Sequence, residues 1–79
     1  MKYVIVFDNT NHAIKSEKLL LDAEIKVTVR PLPPEIKAGC GIALAINGNE
    51  LFTSKALLEE NEIIYQIYST DDNKSYSKE

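Results

Sequence analysis

Hydrophobic and polar positions divide this chain into six segments. Residues 3–7, Tyr-Val-Ile-Val-Phe, form an unbroken β-branched and aromatic run. That pattern predicts a strand covered on both faces, hence central in a sheet. Asp8-Asn9-Thr10-Asn11 follows as a cluster of turn and helix-capping residues. From about Asn11 to Ala23 a helix is expected. Ala13, Ile14, Glu17, Leu20, Leu21 and Glu24 recur at helical spacing, Leu19 widens the stripe, and Lys15, Lys18 and Asp22 lie off it. Ile25 to Arg30 alternates, with Ile25, Val27 and Val29 on one side, which predicts a half-buried edge strand. Pro31-Leu32-Pro33-Pro34 predicts a stiff loop with a turn at Glu35-Ile36-Lys37. Proline has no N–H to give a ladder and holds its predecessor extended.

After Gly39-Cys40-Gly41, Ile42-Ala43-Leu44-Ala45-Ile46 predicts a second doubly covered strand, with alanine on one face where something packs closely. Asn47-Gly48-Asn49 is a turn, and a second, less regular helix is expected from about Glu50 to Asn61. Asn-Gly is also a hairpin signal, so a strand at Leu51–Ser54 is the alternative. Glu62 to Thr70 holds a last strand, Ile-Ile-Tyr-Gln-Ile-Tyr. Residues 1–70 thus read as one α+β domain, and the polar residues 71–79 as a disordered C-terminal tail. No internal repeat stands out. The order βαββαβ predicts a ferredoxin-like sandwich, an antiparallel sheet of order 4-1-3-2 with both helices on one face. The two continuous apolar runs fall on strands 1 and 3, the central pair of that order. The same arrangement leaves the other face bare, with residues of the 3–4, 42–46 and 63–68 runs on it, and a surface of that kind dimerises or meets a partner.

Composition narrows the chemistry. With 79 residues there is room for one domain and a modest core. At 44% hydrophobic and 27% charged the chain is globular rather than disordered. It has no Trp, four Tyr and two Phe, so the core is mostly aliphatic. Nine Lys and Arg are scattered against twelve Asp and Glu, for a net charge of −3, which argues against nucleic-acid binding. No apolar run is long enough to span a membrane, and the first run reaches Asp8 too soon for a signal peptide, so a cytoplasmic location is expected. One Cys allows neither an intrachain disulfide nor a cysteine cluster, and with a single His no metal or cofactor is expected.

The remaining question is what Cys40 does. In a 4-1-3-2 sheet the start of strand 3 lies beside the ends of strands 1 and 2. Cys40 is therefore expected near Asp8, the helix start at Asn9–His12, and Arg30-Pro31. Helix N-terminal N–H groups and Arg30 or Lys37 would favour a thiolate, the nucleophilic form, while Asp8 and Glu35 would oppose it. Flanking glycines remove bulk and leave backbone N–H groups open to an anion. The candidate site is thus the Cys40 thiol with Gly39, Gly41, Thr10, Asn11 and Arg30 as binding residues. The plainer alternative is a Cys40 buried as a small hydrophobe, with glycines that only make a sharp turn. His12 reads as a helix-start residue rather than a base, and Glu59, Glu60 and Glu62 as a solvated helix end.

Phe7 to Ile25 resembles the opening of the small selenium/sulfur carrier protein-like domains, with Thr10, Ala13, Glu17, Lys18 and Leu20 matching. Arg30-Pro31-Leu32-Pro33 and then Gly39-Cys40-Gly41-Ile42-Ala43-Leu44 are similar to that family's proline segment and Cys-Gly before an apolar strand. Such domains often read Thr-His at the helix start. Here Asn11 follows Thr10, so no family role carries over to His12. The resemblance implies a carrier or accessory domain, not a stand-alone enzyme, that holds sulfur or selenium on Cys40 as a persulfide or selenosulfide. It would receive the atom from a donor protein and pass it to an acceptor. Two other readings compete. One is a non-catalytic interaction or ligand-binding module that dimerises through its open sheet face, with Cys40 structural. The other is a redox sensor forming an intermolecular disulfide. A fully buried sulfur would sink the carrier reading.

Overall fold

The computed structural model describes residues 2–71 and 75–79. It is a small α+β fold. Strand β1 is Lys2–Phe7, helix α1 Thr10–Asp22, β2 Thr28–Pro31 and β3 Ile42–Asn47. A 3-10 turn at Gly48–Glu50 leads into α2, Leu51–Glu60, followed by β4, Tyr65–Thr70, and β5, Ser77–Lys78. The sheet is antiparallel throughout, with order β2-β3-β1-β4-β5. Its first four strands follow the expected order, read from the other edge. The two-residue β5 on the outside of β4 was not expected, so the arrangement matches only in part. Of the C-terminal segment read as a disordered tail, Asp72–Lys74 lie outside the described residues, whereas Ser77–Lys78 pair with Ser69 and Tyr68.

Register fixes which side chains share a face. Ile5 stands opposite both Leu44 and Ile67, and Phe7 opposite Tyr65. The helices lie on this face: α1 packs on β1, β3 and α2, and Glu59 of α2 accepts a hydrogen bond from the Tyr65 hydroxyl. Ile5, Leu20, Leu44 and Leu58 are fully buried between the layers. The buried side of α1 is Ala13, Ser16 and Leu20, while Ile14 and Leu21 are exposed. The predicted stripe was therefore rotated, because a buried serine is invisible to a hydrophobicity count. Residues 51–54 are helical, not a strand. The expected second strand is cut to Thr28–Pro31, with Ile25 buried ahead of it as a loop anchor. Pro31 closes the strand at the sheet edge, where its missing N–H is tolerated.

Both helices end in the same way. Glu24 and Glu62 take left-handed φ values of 63° and 58°. Their N–H groups donate to Leu21 and Glu59 carbonyls, and the next residues, Ile25 and Ile63, donate to Leu20 and Leu58. These are two Schellman caps, each sealed by an Ile–Leu pair. The two halves share the pattern Ser-x-x-x-Leu-x-x-x-Glu-Ile, at Ser16–Ile25 and Ser54–Ile63. This short internal repeat corrects the expectation of none; it is visible only once the caps are aligned.

The second sheet face is not bare, contrary to expectation. Val4, Val6 and Ala43 lie on it and are all buried. The proline loop after β2 folds back over this face, turning at Pro33–Ile36 through a 3.0 Å bond from Ile36 N–H to the Pro33 carbonyl. Ile36 is buried in the core and Tyr76 packs against it. Burying the loop is driven by the apolar area that those strands would otherwise expose.

Candidate functional site

The sheet brings Cys40 to the end of β1 and the start of α1, as the strand order predicts. The Asn9 side chain caps α1 by accepting from His12 N–H at 2.9 Å. One residue on, the Thr10 hydroxyl donates to the Cys40 carbonyl at 3.1 Å. The Leu32 N–H donates to the Gly41 carbonyl at 3.2 Å, extending the β2–β3 pairing by one bond. Cys40 is thus tied to both β1–α1 and the proline loop.

The sulfur itself faces inward. Cys40 is only 3% exposed and belongs to the core cluster. Its thiol donates to the Ile42 carbonyl at 2.7 Å, and Sγ accepts from Phe7 N–H at 3.4 Å. A neutral thiol satisfies both partners. A thiolate would face the Ile42 carbonyl oxygen without a proton between them. The expected contribution of the helix start is corrected: Thr10 binds the Cys40 carbonyl, and the helix makes no hydrogen bond to the sulfur. In this conformation the burial counts against a freely accessible thiol.

The glycines have local structural causes. A Cβ at Gly39 would overlap the backbone carbonyl of Asp8. Gly41 has φ +70°, with open space around it. Both glycines are exposed, on either side of the buried cysteine. Arg30 and Asn11 are not part of this arrangement. Arg30 is exposed on β2 and lines hollows on the second sheet face, and Asn11 is exposed on α1. His12 is half-buried, with its Nδ1 buried and without a hydrogen-bond partner. A hollow of about 70 Å³ opens beside the site, between Phe7, Asp8, Lys37 and Ala38. Sequence reasoning missed Phe7 and Ile42, because their contribution is a backbone N–H and a carbonyl that any residue could supply. Among the described residues no three His, Cys, Asp or Glu cluster to hold a metal, and no helix is long and apolar enough to cross a membrane.

Comparison with known proteins agrees with the segments that surround Cys40. Residues 2–69 match the family described as "Putative Se/S carrier protein-like". A 62-residue stretch is 39% identical to the uncharacterized protein MJ0011 of Methanocaldococcus jannaschii. The match covers 78% of this chain but 31% of that protein, so the chain spans about a third of the length of this curated relative. No solved structure matches. The chain belongs to the Se/S carrier protein-like family.

Proposed function

We propose that this domain carries sulfur or selenium on Cys40, as a persulfide or selenosulfide, and that the buried thiol is the resting state of a gated site. The family match across residues 2–69 carries the reading. The fold is then a ferredoxin-like sandwich with β5 added. In the loading step, the Cys40 thiolate attacks the outer sulfur of a donor persulfide. The Cys40 Sγ–S bond forms, the donor S–S bond breaks, and the donor leaves as a thiolate, so no oxidant is needed. Opening requires the Gly39–Gly41 turn to swing out. The turn is held by the Thr10–Cys40 and Leu32–Gly41 bonds, with a glycine on each side of the cysteine.

Burial of Cys40 favours a second reading, in which the thiol is structural and the domain is an interaction module. Two measurements separate them. Incubation with a persulfide donor gains one sulfur in intact mass on the carrier reading, and the Cys40→Ser variant gains none. Native-state alkylation is the second. A gated site reacts by local opening, and Thr10→Ala accelerates it about fivefold by removing one hydrogen bond from the turn. Absence of the sulfur adduct, with alkylation that follows global unfolding across a urea series, establishes the structural reading instead.

A further inference from the structure

The second sheet face carries a feature that the cysteine does not use. Lys2 stands opposite Asn47, Thr28 and Val4 opposite Ala45, and Arg30 opposite Ala43. Register therefore puts all seven on one face across three adjacent strands. Around Ala45, a hollow of about 190 Å³ is lined by Lys2, Lys26, Thr28, Arg30 and Asn47. Three cationic and two neutral hydrogen-bonding residues line it, and among the described residues no carboxylate does, in a chain whose net charge is −3. Chance placement in an acidic chain disfavours such a cluster, and like charges at one place repel unless an anion joins them. The alanines of β3 make the space, because any larger side chain at 43 or 45 would fill the floor.

Arg30 is shared with a second hollow of about 460 Å³. Val4 and Ala43 floor it, and Leu32, Pro33, Pro34 and Tyr76 wall it. Among the described residues its one acidic lining residue is Glu35 on the proline loop. Sharing Arg30, the two hollows together form the candidate groove, lined by cations and hydrogen-bonding groups at one end and mostly by apolar residues at the other.

We infer that this groove binds a phosphate monoester with an apolar body. A phosphate carries close to two negative charges and three acceptor oxygens, which suits three cations with a hydroxyl and an amide better than a carboxylate would. The apolar body lies in the second hollow, against Leu32, Pro33, Pro34 and Tyr76. This site is on the sheet face and stands whether or not Cys40 carries sulfur.

The test is an amide-shift titration of the intact chain with 1-naphthyl phosphate, inorganic phosphate and 1-naphthol. Naphthyl phosphate moves the Thr28, Arg30 and Asn47 amides together with Val4, Ala43 and Leu32, and binds more than about tenfold tighter than inorganic phosphate by burying its ring. Inorganic phosphate moves only the cationic end. Arg30→Gln and Lys26→Gln each weaken naphthyl phosphate by about fivefold, the scale of one exposed ion pair. Glu35→Gln strengthens it, and Lys18→Gln on α1 changes nothing. Naphthol binding as tightly as its phosphate, or no saturable shift at the cationic end, overturns the inference.

Discussion

At the scale of single residues, the two glycines beside Cys40 do different things, and substitution separates them. At Gly39 the obstacle is a backbone carbonyl that cannot rotate away, so Gly39→Ala forces β1 and the loop apart. At Gly41 there is room, and only the left-handed backbone resists a side chain. Gly41→Ala is expected to cost about 1–2 kcal/mol, and Gly39→Ala distinctly more, read from urea unfolding midpoints. Tyr65 provides a second test. Burial first, then the hydrogen bond to Glu59 and the charge of that carboxylate, push its phenol up to about 12 from 10.0. The folded state prefers the neutral phenol. The stabilisation is therefore complete below pH 10 and is lost as pH rises from about 10 to about 12. A phenolate absorbance titration should show one tyrosine ionising late, and Glu59→Gln should bring its midpoint down.

At the scale of elements, helix termination is what repeats. Each helix places a glutamate where a Schellman cap favours glycine. Glu24→Gly and Glu62→Gly are each expected to stabilise the fold by about 1 kcal/mol, since the left-handed backbone costs glycine little. Each helix also buries a serine, Ser16 and Ser54, whose hydroxyl has no hydrogen-bond partner. Ser16→Ala and Ser54→Ala should raise thermal stability by about 1 kcal/mol apiece, because they remove an unsatisfied buried group without opening a large cavity. The elements themselves were legible. The runs at 3–7 and 42–46 read as central strands and became β1 and β3, and the Asp8–Asn11 cluster announced the start of α1. The buried face of α1 was not legible, because small polar residues at a helix contact carry no hydrophobic signal. Nor was the length of β2: alternation from Ile25 onward cannot distinguish a paired strand from an extended lead-in.

At the scale of the whole molecule, the proline loop replaces an expected open face. Its keystone is Ile36, 3% exposed although it sits among polar and proline residues. Ile36→Ala should cost about 2–4 kcal/mol and uncover the Val4–Val6–Ala43 face. Concentration-dependent self-association in sedimentation would report that exposure, and an unchanged monomer–oligomer balance would mean the loop stays down. Sequence order predicted that Cys40 lies beside Asp8 and the helix start, because strand polarity alone dictates it; Arg30, expected there too, lines hollows on the second sheet face instead. It could not predict that the thiol turns inward. That depends on two backbone groups, at Phe7 and Ile42, whose availability is set by how the strands end.

The register has one more consequence. Lys2, the first residue of β1, stands directly opposite Thr70, the last of β4. The start of β1 and the end of β4 therefore lie side by side at one end of the sheet. A short linker across that gap, with new ends opened in the turn at residues 47–49, where Asn47 and Asn49 are exposed, should give a circular permutant that retains the four long strands. The same adjacency makes the unit portable: a host protein can receive it at a single surface point without parting its own secondary structure.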